Sequence, residues 1–306
     1  MLVRAAFVIM ILASAWSATA GESQQPKTDM VPSANDVPVA VTTWGNSKGP
    51  GVLFVHGFLA STLNWQKQIH ANLGETYNMA SVDMRGHGAS AKPIGAANYT
   101  GTKVWADDIA AAIKAAGMSK PLLVAWSYGG FFIMDYVRHY GTANVGGIVL
   151  AGTTAGLIPP PPPPEMTPAR QEQINRNTSP NLETIINWTN GYMGFLMSDG
   201  ALPANEAEIV KISALLVPHY VRPFLREHPT NNSDLAAKVN VPVMFISGTK
   251  DGSAKIDDVR AAAAAVKGSQ VKEYEGIGTM TFWYAPDRFN GDIAKFASSL
   301  NQGRAK

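Results

Sequence analysis

The chain has 306 residues, of which 46% are hydrophobic and 16% charged, with a formal net charge of +2. This balance is typical of a globular protein, and the length allows one large α/β core with an insertion. No run of lysine and arginine is dense enough to indicate nucleic-acid binding. Cysteine is absent, which excludes a thiol nucleophile, a cysteine-ligated metal and a disulfide framework.

The first twenty residues have the pattern of a secretory signal peptide. Arg4 supplies a positive charge, and residues 5–18 are apolar. Residues 18–20 (Ala-Thr-Ala) have the small-x-small pattern after which signal peptidase would cut, just before Gly21. The apolar stretch is shorter than the roughly 20 residues that cross a bilayer, and no later segment qualifies. We therefore expect removal of residues 1–20, export to the periplasm or the extracellular space, and a mature chain without a membrane span. An uncleaved N-terminal anchor is the alternative.

The next elements alternate between strands and helices. Residues 21–36 are polar and predict a flexible leader, whereas from Val37 apolar runs alternate with helical patterns. This alternation predicts a mostly parallel sheet with helices on both faces. The predicted strands are continuous apolar runs, as buried parallel strands are; they span 52–55, 79–82, 121–126, 147–151, 243–247 and, at a more polar sheet edge, 271–274. The predicted helices span 104–116, 130–140, 259–266 and 287–300.

Six consecutive prolines, Pro159–Pro164, interrupt this alternation. Proline cannot continue a helix or a central strand, so the run predicts an extended polyproline segment. Helical sequence rich in methionine and aromatic residues follows, and it predicts a lid at 155–236, inserted into a core of 37–154 and 237–306. A stiff spacer is the preferred role of the proline run, and an SH3-type ligand is the alternative.

A predicted buried strand runs directly into a helix through Trp126-Ser127-Tyr128-Gly129. A serine at the tip of such a turn is held in a strained conformation with its hydroxyl exposed above the sheet. The neighbouring positions must be small for helix and strand to pass closely, and Ala125 and Gly129 meet that need. The pattern predicts that Ser127 is a nucleophile, and the alternative is an incidental serine in a strand-to-helix turn.

Three motifs follow successive predicted strands: HGF at 56–58, DMRGHGAS at 83–90 and AWSYGG at 125–130. Together they resemble the α/β-hydrolase family, and most of all its bacterial esterase and cofactor-free haloperoxidase or perhydrolase members. The resemblance covers nearly all of the chain after about residue 38. It implies an α/β-hydrolase fold and a serine esterase activity (EC 3.1.1 type), with perhydrolase or haloperoxidase activity at the same site. It implies neither a cofactor nor a metal.

The resemblance also implies roles for individual residues. The backbone N–H groups of Phe58 and Tyr128 would form an oxyanion hole, which stabilises the developing negative oxygen. Asp251 follows a predicted strand where the family carries the acid that orients an imidazolium, although an aspartate there is also a common turn former. His56 and His87 are expected to be structural rather than general bases.

One position departs from the family pattern. Family members carry a histidine in a Gly-x-Gly-His stretch after the last strand, but here Thr279 ends that stretch and no histidine follows Asp251. A threonine hydroxyl cannot accept a proton at neutral pH. In a serine protease, loss of the base lowers turnover about a million-fold and leaves roughly a thousandfold rate enhancement over water.

Three hypotheses remain open for Thr279. It replaces the histidine in an esterase-like hydrolase that becomes slow, or it marks a catalytically silent pseudo-hydrolase that binds an apolar ligand. In the third hypothesis His219 or His228 of the lid supplies the base, although each is also consistent with a solvated helix residue. The aromatic and methionine residues of the lid favour a small to medium apolar, ester-like substrate.

Overall fold

One eight-stranded sheet forms the centre of the computed structural model, which describes residues 24–197 and 200–304. The strands are β1 (Gln24–Pro32), β2 (Pro38–Gly45), β3 (Gly51–Val55), β4 (Asn78–Asp83), β5 (Leu122–Trp126), β6 (Gly147–Ala151), β7 (Val243–Gly248) and β8 (Gln270–Tyr274). Their order across the sheet is β1-β2-β4-β3-β5-β6-β7-β8. β2 pairs antiparallel with both β1 and β4, and all the other pairs are parallel.

Helices follow most strands and cover the sheet, which is the arrangement of an α/β-hydrolase fold. They are α1 (Gln66–Ile69), α2 (Leu73–Thr76), α3 (Lys103–Ala115), α4 (Gly129–Tyr140), α5 (Pro168–Asn177), α6 (Leu182–Leu196), α7 (Ala204–Leu215), α8 (Arg222–Glu227), α9 (Ile256–Ala265), α10 (Thr281–Tyr284) and α11 (Pro286–Arg304). One side of α3 is buried against the sheet, and its residues Trp105, Ile109, Ala112 and Ile113 all belong to the core.

The predicted alternation is confirmed. The six predicted strands correspond to β3 through β8, and the four predicted helices correspond to α3, α4, α9 and α11, each within a few residues. Strands β4 to β7 are buried along their whole length, as is β3 apart from Gly51, because neighbouring strands and helices enclose them. β8 lies at the sheet edge and is only partly buried, in agreement with its more polar sequence.

The prediction of a flexible leader at 21–36 is wrong from residue 24 onward. Residues 24–32 form β1, which pairs antiparallel with β2, and a 3-10 turn follows at 34–36. The low apolar content suggested a flexible leader, but it is also compatible with an edge strand. Such a strand is paired through backbone hydrogen bonds and exposes most of its side chains to water. Polar contacts secure it, including a 2.8 Å hydrogen bond between the Thr28 and Thr42 hydroxyls. The predicted signal peptide, residues 1–20, lies outside the described residues.

The sequence between β6 and β7 forms a helical insertion that contains α5, α6, α7 and α8. The polyproline run, Pro159–Pro164, forms neither helix nor strand and is exposed. A 3-10 turn at 233–238 crosses the predicted boundary between insertion and core at 236. Within residues 24–197 and 200–304, no helix combines the length and the apolar character needed to cross a bilayer.

Candidate active site

Ser127 lies in the turn between β5 and α4 with a left-handed backbone, φ +49°. Such a conformation is uncommon for a residue with a side chain and persists only where the surroundings enforce it. Here the Ser127 N–H donates to the Ala151 carbonyl at 2.8 Å, and the Ser127 carbonyl accepts from the Gly130 N–H at 3.0 Å. The half-buried residue is therefore held at the end of the central strands, where the sequence predicted a nucleophile.

Glycines allow the turn to pack closely against the loop after β3. A Cβ added to Gly129 would lie 2.5 Å from the Val55 carbonyl oxygen and 2.6 Å from that of His56, which is closer than a carbon atom tolerates. A Cβ on Gly57 would lie 3.3 Å from the Ser127 Cβ. The loop at 56–58 therefore lies directly beside Ser127.

The two predicted oxyanion donors are the backbone N–H groups of Phe58 and Tyr128, which lie next to the contact between Gly57 and Ser127. Phe58 follows Gly57, Tyr128 follows Ser127, and their ring centroids are 5.9 Å apart. Neither backbone N–H donates a hydrogen bond to any residue in the described part of the chain. The loop is fixed from the other side, because the Tyr192 hydroxyl donates to the Phe58 carbonyl at 3.1 Å.

A cavity of about 710 Å³ opens beside Ser127. Its walls combine apolar side chains, small polar groups and two charged residues, Lys255 and Asp258. The apolar part includes Tyr128, Phe131, Ile158 and Pro159–Pro161. The polyproline run thus forms part of the cavity wall.

Asp251 follows β7 and is buried. Its Oδ1 accepts hydrogen bonds from the Ser253 N–H (2.8 Å), the Ser253 hydroxyl (2.7 Å) and the Ala254 N–H (3.1 Å). Oδ2 is buried and has no partner in hydrogen-bonding geometry among the described residues, although the Thr279 hydroxyl is near enough to favour the charged form. Burial raises the pKa of Asp251, and these hydrogen bonds offset part of that effect.

Thr279 lies beside Asp251 and is also buried. The Trp126 indole N–H donates to the Thr279 carbonyl at 3.0 Å and to its hydroxyl oxygen at 3.3 Å. A Cβ on Gly152 would come within 3.0 Å of both Asp251 Oδ2 and Thr279 Oγ1. Gly152 lines the same cavity as Ser127, so the structure brings together the positions predicted for the nucleophile, the acid and the missing base.

The two histidines of the loop motifs, His56 and His87, form hydrogen bonds with backbone groups. His56 Nδ1–H donates to the Gly57 carbonyl at 2.9 Å, and Nε2 accepts from the Met84 N–H at 3.0 Å. His87 Nδ1–H donates to the Arg85 carbonyl at 3.0 Å. Burial lowers the pKa of both imidazoles. They are neutral groups that brace the loops around the site.

His228 is buried, so its interpretation as a solvated helix residue is wrong. Its Nε2 lies 2.7 Å from Asp135 Oδ2, and its ring packs against Tyr128 and Phe132. Neither His228 nor His219 is among the residues that line the cavity at Ser127. The hydrogen bond between His228 and Asp135 joins the end of α8 to α4. The signal that the sequence analysis overlooked was this aspartate on the buried face of α4.

Replacement of Asp135 by asparagine should change how stability depends on pH. Burial raises the pKa of Asp135 from 3.8 to about 6, so the native state binds this proton more tightly than the unfolded chain. The stability that this group contributes is fully present below pH 4 and is lost as the pH rises to about 6. We therefore compare the unfolding free energies of the native protein and of Asp135→Asn. The native value minus the variant value should decrease by on the order of 2 kcal/mol over this pH window.

Urea unfolding of both proteins between pH 4 and 7 measures this difference. The control is Asp36→Asn, which changes an exposed carboxylate and should leave the pH profile as it is in the native protein. A constant difference between the native protein and Asp135→Asn across this range would contradict the prediction.

A model of the alpha/beta hydrolase fold family matches residues 50–286, and the chain belongs to this family. Among its relatives, a non-heme haloperoxidase from Rhodococcus erythropolis is 24% identical over 269 residues, covering 84% of this chain and 94% of that protein. A bifunctional esterase/perhydrolase from Acinetobacter calcoaceticus is 28% identical over 163 residues, or 49% of this chain and 55% of that protein. The structure of an esterase from Rhodococcus sp. ECU1013 superimposes with a TM-score of 0.78 at 25% identity, covering 90% of this chain and all of that one. The predicted family resemblance is confirmed.

Proposed function

We propose that this chain is a serine hydrolase that acts on carboxylic esters or related acyl substrates, slowed by the absence of a base at residue 279. The observation that carries the proposal is the position of Ser127, on a left-handed turn beside a cavity of about 710 Å³. The backbone amides of Phe58 and Tyr128, which have no acceptor among the described residues, support it because they are suited to hold a negative oxygen. The similarity to proteins named as esterases points the same way.

In the proposed reaction Ser127 Oγ attacks the carbonyl carbon of the ester. The two amide donors stabilise the resulting oxyanion, each by about 3 kcal/mol. An imidazole would take the serine proton and return it to the leaving alcohol, but Thr279 cannot do so. Acylation and deacylation are both slow as a result, and an activated ester should leave its acyl group on Ser127.

The surroundings of Ser127 favour a small to medium apolar acyl group, because Phe131, Ile158 and Pro159–Pro161 form an apolar wall. The helical insertion is proposed to act as a lid, and its Tyr192 hydroxyl donates to the carbonyl of Phe58 in the loop beside Ser127. The proline run acts here as a stiff spacer. Perhydrolase or haloperoxidase chemistry would use the same residues and is slowed for the same reason. We further propose that residues 1–20 direct export and are removed.

Trapping of the acyl-enzyme tests the proposal. Incubation with p-nitrophenyl acetate should add one acetyl group to the peptide that carries Ser127, as measured by mass spectrometry, because water attack on the acyl-serine lacks a general base. The matched control is Ser253→Ala, which removes the other serine of the cavity wall and should keep the adduct, whereas Ser127→Ala should lose it. No adduct on Ser127, together with binding of apolar esters, would instead favour the catalytically silent ligand-binding protein.

A further inference from the structure

The loop that carries the Phe58 N–H is a four-residue turn with an uncommon backbone conformation. The Ala60 N–H donates to the Gly57 carbonyl at 3.2 Å and closes the turn around Phe58 and Leu59. Leu59 has φ +49°, a left-handed conformation that a leucine adopts only where its surroundings enforce it. Rotation of the peptide between Phe58 and Leu59 would relieve this strain, because it changes φ of Leu59 and ψ of Phe58 together. A contact that holds this peptide in place therefore stabilises the turn.

Tyr192 of the helical insertion makes such a contact. Its hydroxyl donates to the Phe58 carbonyl at 3.1 Å, and this carbonyl belongs to the peptide between Phe58 and Leu59. Rotation of the peptide would turn the carbonyl away from the hydroxyl, so the hydrogen bond opposes it. The rings of Tyr192 and Phe58 also meet edge to face, with centroids 6.1 Å apart. Tyr192 is not among the described residues that line the cavity at Ser127, so it acts on the site through Phe58.

The packing of the insertion fixes Tyr192 in turn. Tyr192 lies on α6, and its ring stacks on the ring of Trp188 one turn earlier, with centroids 5.4 Å apart. The guanidinium of Arg222, on α8, lies 5.8 Å from the centroid of the Trp188 ring. Arg222 is fully buried and donates to the carbonyls of Ala214 and Val217 at the end of α7. Three helices of the insertion thus determine where the Tyr192 hydroxyl lies.

We propose that Tyr192 is a positioning residue for the oxyanion hole, through which the helical insertion controls acyl transfer at Ser127. The inference rests on the proposed function, because it concerns the same acyl chemistry. Phe58 joins the peptide that carries the donor N–H to the peptide that Tyr192 holds. His56 Nδ1–H anchors the first of these peptides at the Gly57 carbonyl, and Tyr192 anchors the second. Held at both peptides, the N–H keeps the direction that a developing oxyanion requires.

A displaced insertion would withdraw the Tyr192 hydroxyl and leave the Phe58 donor held from one side only. The nucleophile would stay in place, because the Ser127 turn is bonded to Ala151 and Gly130 of the core. The insertion therefore controls stabilisation of the transition state separately from the position of the serine.

Tyr192→Phe tests this inference in the complete protein, because it removes the hydroxyl and keeps the ring. Acetylation of Ser127 by p-nitrophenyl acetate is followed by mass spectrometry at several ester concentrations, which separates the acylation rate constant from the half-saturating concentration. The rate constant should fall about tenfold, which is less than the 10² to 10³ expected for loss of a whole oxyanion donor. The half-saturating concentration should stay the same, because Tyr192 does not line the cavity at Ser127.

The matched control is Tyr220→Phe. Tyr220 is another tyrosine of the insertion, and its hydroxyl donates to the Lys92 carbonyl of the core at 2.8 Å. This variant removes a hydrogen bond of the same kind that does not involve the loop at 56–60, so acylation should proceed as in the native protein. Equal slowing by both variants would mean a general loosening of the insertion and would overturn the inference.

A second readout does not depend on acyl chemistry. Hydrogen exchange of the Ala60 amide, measured by nuclear magnetic resonance, should be about fivefold faster in Tyr192→Phe, because the turn that this amide closes loses the support of one hydrogen bond. Unchanged exchange, or acylation as fast as in the native protein, would overturn the inference and leave the serine hydrolase intact. If the native protein does not acetylate Ser127 at all, the proposed function fails, and the exchange of the Ala60 amide still decides whether Tyr192 holds the turn.

Discussion

Thr279→His should raise kcat/KM for p-nitrophenyl acetate by about 10³-fold over the native protein. The substitution places an imidazole beside Asp251, whose Oδ2 is buried and unpaired among the described residues. An imidazole Nδ1–H that donates to this oxygen would have its Nε2 available for the Ser127 proton. The Trp126 indole bond to the residue 279 carbonyl does not depend on the side chain, so it should persist and hold the backbone in place.

The control for this gain is Thr279→Asn, which introduces a polar side chain that is not a base. Steady-state kinetics of the two variants should differ by nearly the whole gain, and only Thr279→His should lose activity as the pH falls and the imidazole becomes protonated. Equal rates for both variants would show that proton transfer at residue 279 does not limit the reaction. If the native enzyme is fast and His228→Ala or His219→Ala abolishes its activity, the base would instead lie in the helical insertion.

The turn that carries Ser127, between β5 and α4, was predictable because its requirements are local. A buried strand, one serine and small neighbours within a few residues specify the turn, and the positive φ of Ser127 and the crowding at Gly129 follow from that pattern. The parallel strands were predictable for a similar reason, since burial on both faces requires continuous apolar runs such as Val52–Val55.

The features that sequence reasoning missed depend on contacts between distant segments. Asp135 and His228 are 93 residues apart in the chain, and neither position alone indicates that the helical insertion places one against the other. β1 was missed because its pairing depends on the β2 backbone rather than on apolar side chains of its own. The role of Pro159–Pro161 in the cavity wall likewise depends on distant segments, since Ser127 and Asp258 line the same cavity.

The strain at Ser127 has a consequence for how Thr279 is interpreted. A left-handed serine costs of order 1 to 3 kcal/mol, and the glycines beside it add further conformational cost. Asp251 is buried, and its Oδ2 has no partner in hydrogen-bonding geometry within the described part of the chain, which is a second cost. A chain that only binds an apolar ligand needs neither feature, whereas a serine nucleophile needs the first of them, and this contrast supports the proposed catalytic role of Ser127.

Asp251→Asn should lower kcat about 10³-fold in the Thr279→His background, and less than about tenfold in the native background on the same neutral ester. Asp251 acts by orienting an imidazole and by stabilising its charged form, so its contribution depends on whether an imidazole is present. Three donors from Ser253 and Ala254 hold Oδ1, which leaves only Oδ2 for that role. An asparagine N–H₂ at this position cannot accept a hydrogen bond from the ring and would favour the wrong tautomer.

A double-mutant cycle on p-nitrophenyl acetate measures this coupling from kcat of the native protein, both single variants and the double variant. The cycle should give strong coupling between residues 251 and 279, because each is effective only when the other is in place. Ser253→Ala in the Thr279→His background is the matched control, since it removes one of the donors to Oδ1 while retaining the carboxylate, and should cost far less than Asp251→Asn. If Asp251→Asn cost the same in both backgrounds, Asp251 would be a structural turn residue, and the imidazole at residue 279 would act without it.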